Sequence, residues 1–227
     1  MIPIFIGYDS RETVGYHVLA HSLLARSSQP LAITPIALNN LAAIFKRPRD
    51  PLQSTDFSFS RFLVPHLSNY QGWSIFMDGD MLCQGDIAEL WNLRDDRYAM
   101  MCIQHDYTSK ETTKFLGEKQ TSYHRKNWSS LMLFNNARCQ KLTPHAVETE
   151  SGLWLHQFHW LEDQEIGAIP ATWNHLVGVY PKAPTTPKLI HYTLGGPHFN
   201  ECRDCDYAPE WFTELEHATF SAQKETV

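Results

Sequence analysis

The chain opens on a short apolar run, IPIFIGY (2–8), that ends at a glycine and reads as a strand. The next twenty residues place Val14, Val18, Leu19, Ala20, Leu23 and Leu24 at helical spacing, with Ser10 as the candidate cap and Thr13 at the matching box position. LAITPIAL (31–38) returns to strand character, and Pro35 assigns it to a sheet edge or a bulge. Strand, helix and strand at this spacing predict a βαβ unit with a parallel sheet.

Further along, KRPRDPLQST (46–55) reads as a loop, and SFSRFLVPHLSNY (58–70) as a helix kinked at Pro65 and ending near Asn69. WSIFM (73–77) is apolar at nearly every position, as central parallel strands buried on both faces are. A short helical piece (88–93), a strand over 97–105, a polar connection over 106–127 and a strand over 128–135 follow. Residues 151–174 read as helix then strand, and APEWFTELEHATF (208–220) as an amphipathic helix. Nothing repeats and no linker interrupts the pattern, so one domain over 1–227 is expected.

Directly after WSIFM comes Asp78-Gly79-Asp80. Asp-Gly between apolar runs is a hairpin signal, which pairs WSIFM with DMLCQ as antiparallel neighbours. The other reading uses the two-residue period of extended chain, which points both carboxylates to one side where they can share a divalent cation. Open parallel sheets gather ligands at the carboxyl ends of their strands. The pair alone favours the hairpin.

Composition narrows the classes. Apolar residues make up 43% and charged residues 19% of the 227, enough for a sizeable core. A net charge of −6 and a pI of about 6.0 argue against a nucleic-acid surface. No run reaches the roughly 18 apolar residues of a membrane span, and the start lacks the basic residues of a signal peptide. A soluble, cytoplasmic protein is the expectation. Five cysteines suggest no disulfide framework. His198, Cys202 and Cys205 lie close in sequence, but one Cys pair falls short of the four ligands of a structural zinc site.

The flanks of the acid pair shift the weighting. Phe59-Ser60-Arg61-Phe62, then SIFM, then Asp78-Gly79-Asp80, then Asp86-Ile87-Ala88-Glu89-Leu90-Trp91 stand in this order. Together they resemble the core of the retaining glycosyltransferases of family 8, the group of glycogenin and the bacterial lipopolysaccharide galactosyltransferases. A lone Asp-x-Asp is weak, whereas the whole string is fairly specific. The resemblance is strong over 57–93 and patchy elsewhere.

It implies a GT-A fold: an α/β, Rossmann-like, mixed but mostly parallel sheet flanked by helices. It also implies a hexose donor carried on UDP, and Mn²⁺ or, alternatively, Mg²⁺. The implied metal ligands are Asp78, Asp80 and His191, with His191 in the place of a late His-x-x-Gly motif. Gly7, Tyr8 and Asp9 are implied near the uridine, Asp9 as base contact or, on its own residues, as a helix N-terminal carboxylate. Arg61, Gly195 and Gly196 are implied at the diphosphate. Asp163 and Gln164, in Leu161-Glu162-Asp163-Gln164-Glu165, are implied at the donor sugar, stabilising its anomeric centre. The acceptor, whether glycan, lipid-linked or protein, is not implied.

Two departures from the family pattern stand out. After His191 the glycine comes one residue later, and Gly195-Gly196-Pro197-His198-Phe199 carries no lysine for the diphosphate. Arg61, Lys188, Arg203 or lysines between 110 and 126 are the available substitutes. In place of Phe-Asn-x-Gly the chain has Asn127-Trp128-Ser129-Ser130. These departures keep open a nucleotide-sugar-binding protein without transfer activity, and, further off, a metal-dependent hydrolase. A nucleotidyltransferase needs a basic, Gly-rich loop after the first strand, which IGYDSRET lacks.

Overall fold

The computed structural model describes residues 1–50, 53–106 and 124–220. Its first strand, β1 (Ile2–Gly7), leads into α1 (Thr13–Arg26) and returns as β2 (Leu31–Ile36), paired parallel to β1. This is the expected βαβ unit. β3 (Trp73–Met77) lies parallel on the other side of β1. β6 (Leu131–Asn135) runs antiparallel to both β3 and β5 (Met100–Cys102), and β7 (Ile166–Ala168) closes the sheet parallel to β5. The six-stranded order is β2-β1-β3-β6-β5-β7. Pro35 sits on β2, an edge strand, where its missing N–H costs no ladder bond.

A second, three-stranded sheet holds β4 (Met81–Cys83), β9 (Leu189–His191) and β8 (His175–Leu176), in the order β4-β9-β8. β3 and β4 therefore belong to different sheets, and the hairpin reading of Asp78-Gly79-Asp80 fails. Those three residues are the crossing from the large sheet to the small one.

The central strands of the large sheet are buried on both faces, as their unbroken apolar runs require. Phe5, Phe76, Met100, Met132 and Phe134 pack with Phe62, Leu155, Phe158 and Trp160. Ile4, Ile6, Ile75, Met77 and Leu133 pack with Leu19 and Leu23 of α1 and with Ile87 and Leu90 of α3 (Ile87–Trp91). A third cluster, including Val18, Leu82, Ile190, Tyr192 and Trp211, joins α1, the small sheet and α6 (Ala208–Thr219).

Several local expectations shift. Residues 58–70 are not one kinked helix: a 3-10 turn over Ser60–Leu63 runs into the single-turn α2 (Val64–Leu67). Pro65 falls in the first turn of α2, where it has no hydrogen bond to break. The segment ends at Asn69 and Tyr70, both left-handed. Helix α1 begins only at Thr13, after an N-cap at Glu12, because residues 9–12 are wound into a turn around Asp9. The strands expected over 97–105 and 128–135 are confined to Met100–Cys102 and Leu131–Asn135. Two short helices, α4 (Pro144–Thr149) and α5 (Gly152–His156), precede β7. Most of the polar connection, residues 107–123, lies outside the described residues.

Helix α6 is fastened to α1 by Glu214, 2% exposed, whose carboxylate accepts from Arg26 Nη2 (2.6 Å) and pairs with His21 Nδ1 (2.5 Å). Burial pushes this carboxyl up, but the bonds from Arg26 and His21 outweigh it and hold the group below the usual glutamate range. The stability it contributes is therefore full above the unfolded-state value of about 4.3 and is lost as pH falls through the folded value. Glu214→Gln should cost about 1–2 kcal/mol at neutral pH, since both partners are partly exposed. Urea midpoints from pH 7 to 3 should then converge with wild type at the acid end; parallel curves would contradict this role.

Candidate active site

Three elements deliver the acid pair and the imidazole. Asp78 leaves the end of β3, and its backbone N–H donates to the Ser130 carbonyl at 2.9 Å. Asp80 stands at the start of β4, with its carbonyl accepting from the Tyr192 N–H at 3.0 Å. The antiparallel register sets Met81 opposite His191, so Asp80 and His191 meet at the rim of the small sheet. One ligand atom from each of Asp78, Asp80 and His191 falls within 4.8 Å of the others. His191 Nε2 lies 3.3 Å from Asp80 Oδ1.

Gly79 owes its identity to packing. Its φ is not in the left-handed region, but a Cβ there would stand 2.5 Å from the Gly7 carbonyl oxygen. Glycine at 79 lets the ends of β1 and β3 close on each other, rather than letting the chain curl around an ion.

Two like charges this close in a largely dry site need balancing. Arg61, 5% exposed, provides one balance: its Nη1 is 2.7 Å from Asp78 Oδ1 and donates to the Ser129 carbonyl at 2.9 Å. The guanidinium also lies 5.2 and 5.1 Å from the ring centres of Phe57 and Phe76. His191, 1% exposed, is held from behind: its Nδ1 is 2.9 Å from Asn174 Oδ1. The Asn174 amide donates to Ser130 Oγ at 2.8 Å, and Ser130 Oγ donates to the Asn127 carbonyl at 2.6 Å. Two carboxylates and an imidazole nitrogen are a suitable donor set for Mn²⁺ or Mg²⁺.

The other anticipated residues distribute unevenly. Tyr8 is half-buried, with its hydroxyl 3.1 Å from Thr13 Oγ1. Asp9 is 2% exposed, and its carboxylate accepts from the Arg11 N–H, Nε and Nη2 and from the Asp56 N–H, at 2.7–3.0 Å. Burial raises this carboxyl, and these bonds more than reverse the effect. Asp9 thus organises the β1–α1 turn and the loop before Phe57, and it does not cap α1.

Gly195 adopts φ 136, a glycine conformation, and its N–H closes a turn on the Tyr192 carbonyl at 2.8 Å. At Gly196 a Cβ would meet the His198 ring at 2.7 Å, so the imidazole itself folds over that backbone. Among the substitutes for the absent lysine, Arg61 reaches the acid pair, Lys188 pairs with Glu89, and Arg203 lies over Phe212.

Asp163 and Gln164 are not drawn to the cluster. They stand exposed on a 3-10 turn ahead of β7, where Arg125 pairs with Asp163. The register runs Ile166–Met100–Phe134–Ser74, so β7 begins level with Ser74, four residues before Asp78. At about 3.3 Å per residue that is a separation of roughly 13 Å along the strands. The zinc alternative also fails to assemble: Cys202 and Cys205 are free thiols, and the group of metal-capable side chains found among the described residues is the Asp-Asp-His set.

Asn174 and His105 carried no signal in the sequence, and Ser130 entered only as part of the altered Asn127–Ser130 segment. His105, at the outlet of β5, has Nδ1 2.9 Å from the Tyr180 hydroxyl. Burial, with His191 nearby, pushes it down to about 3.

A mixed sheet with an acid pair at its crossing to a smaller sheet is the architecture of the GT-A fold, shared with the solved structures below. The glycosyl transferase family 8 model matches residues 19–196, and the chain belongs to that family. It is 52% identical over 230 residues to Protein CDI of Arabidopsis thaliana, covering 98% of this chain and 89% of that one. The galactosyltransferase LgtC, solved with donor and acceptor sugar analogs, superposes with a TM-score of 0.60 at 12% identity, covering 96% and 97% of the two chains. The bifunctional glycosyltransferase WbbM superposes at 0.59 with 14% identity over 94% of this chain and 49% of its own. The chain thus spans about half of WbbM, and at these identities both likenesses speak for the fold alone. No helix among the described residues is long and apolar enough to cross a membrane.

Proposed function

We propose that this chain transfers a hexose from a UDP-sugar to an acceptor with retention at the anomeric carbon, using Mn²⁺, or alternatively Mg²⁺, held by Asp78, Asp80 and His191. The observation that carries this reading is the convergence of those three ligand atoms within 4.8 Å, from two sheets and from positions more than a hundred residues apart in the sequence. A divalent cation there supplies Lewis acidity toward the charge that grows on the departing phosphate.

The chain's own groups have distinct tasks in this reading. His191 presents Nε2 because its other nitrogen faces Asn174. Arg61 holds Asp78 in place from the buried side and adds a fixed positive charge beneath the diphosphate. Gly7, Tyr8 and the turn organised by Asp9 lie at the end of β1, next to the acid crossing, and form the uridine side. Gly195 and Gly196 enter on the phosphate side on family resemblance alone, with the His198 ring lying over the Gly196 backbone. Asp163 and Gln164 keep the donor-sugar role on family resemblance alone, and from their exposed turn ahead of β7 they would have to move toward the acid pair to fill it.

Calorimetry with UDP, with and without Mn²⁺, tests the reading together with a screen of UDP-sugars for Mn²⁺-dependent sugar release. Mn²⁺-dependent UDP binding with slow release of one sugar is expected. Binding without release identifies a nucleotide-sugar-binding protein instead. No affinity for any uridine nucleotide would remove the proposal altogether.

A further inference from the structure

The structure assigns Asn174 as the positioning residue that fixes which ring nitrogen His191 turns toward the acid pair. The inference rests on the metal reading above and adds to it a residue on β8's approach whose side chain touches none of the acids. The neutral imidazole carries one proton, and the nitrogen without it is the one that can donate a lone pair. Asn174 is 1% exposed and adjoins β8, whose parallel register sets Leu176 beside His191. Its amide could present either oxygen or nitrogen to the ring, and the neighbours decide between them.

Ser130 Oγ makes that decision. Its own proton goes to the Asn127 carbonyl at 2.6 Å, so toward Asn174 it can only accept. The Asn174 NH₂ must therefore face Ser130, at 2.8 Å, and the Asn174 oxygen must face His191 Nδ1, at 2.9 Å. An oxygen acceptor at Nδ1 requires the proton there. The chain of direction thus runs from a backbone carbonyl before β6, through a hydroxyl and an amide, to the imidazole. It leaves Nε2, 3.3 Å from Asp80 Oδ1, as the nitrogen whose lone pair a cation would take up. Asn127 closes the ring loosely, with its Nδ2 3.4 Å from Thr193 Oγ1, two residues past His191.

Outer partners of this kind orient a metal-binding histidine and raise its basicity, and losing one weakens metal affinity by about 10–100-fold. Asn174→Leu keeps the volume and removes the acceptor. Asn174→Asp keeps the acceptor and serves as the rescuing variant should the leucine protein fail to fold.

Two measurements are needed on the whole chain. Long-range ¹⁵N–¹H spectra, recorded without metal and again with diamagnetic Mg²⁺, report which His191 nitrogen carries a proton. Calorimetry with Mn²⁺ alone reports affinity. Wild type and Asn174→Asp should show the Nδ1–H form. Asn174→Leu should shift toward Nε2–H and bind Mn²⁺ about 10–100-fold more weakly. An Nε2–H form in wild type, or an unchanged tautomer in Asn174→Leu, overturns the assignment. If the tautomer responds but no protein binds Mn²⁺, the positioning role stands and the metal reading falls.

Discussion

Asp80→Asn protein should fold normally, lose Mn²⁺ binding by on the order of 10²-fold or more, and lose sugar release with it. The expected loss exceeds the 10–100-fold typical of an outer partner because a direct ligand is removed. The fold should survive because the Asp80 carboxylate stands beside a second carboxylate, Asp78, which it repels. Removing one of two adjacent carboxylates relieves repulsion in the metal-free protein. Urea denaturation in chelator should place the variant within about 1 kcal/mol of wild type, as for a change that buries no new unpaired charge. Retained Mn²⁺-dependent turnover would sink the ligand assignment.

Arg61→Met should behave in the opposite sense and strike stability first. Arg61 and Asp78 have side chains only 6% and 13% exposed and pair at 2.7 Å. Removing one partner of a buried pair leaves the other uncompensated, at a cost of about 3–5 kcal/mol. Asp78→Asn should cost a similar amount, since it leaves the guanidinium charged between Phe57 and Phe76. The double variant should be milder than the sum of the two, because neither charge is then left alone. Singles within about 1 kcal/mol of wild type would show the pair to be solvated and Arg61 free to serve the donor. Urea midpoints at neutral pH settle this without any activity measurement.

The contrast between these two aspartates was invisible in the sequence, where they differ only by two positions. The apolar runs, the βαβ opening and the edge-strand proline were legible, because each rests on local periodicity or on the geometry of one residue. The acid pair was legible as a site only through its neighbours from Phe59 to Trp91, since Asp-Gly alone favours a turn. The late pairing with His191 was anticipated from family resemblance; its physical cause, the β4–β9 register, involves strands of three residues that carry no periodic signal.

Asn174, and its bond to Ser130, were beyond reach for the same reason. Asn174 sits beside a two-residue strand, and its role depends on a register rather than on a pattern. Asp9 misled in another way. A carboxylate after a strand and before a helix suggests a ligand contact or a cap, but Arg11 two residues on and the backbone at Asp56 together occupy it. Asp163 and Gln164 matched a family string, yet local sequence says nothing of how far along the sheet β7 begins.

The crossing at Asp78-Gly79-Asp80 has a mechanical consequence. Two of the three implied ligands ride on the small sheet and one on the large, so an ion gripping all three acts as a rivet through both layers. Occupancy at 100 times Kd would tighten the assembled protein by about 2.7 kcal/mol. Sliding of one sheet on the other would open the cage, so under the proposed function an ion in it would hold that joint closed.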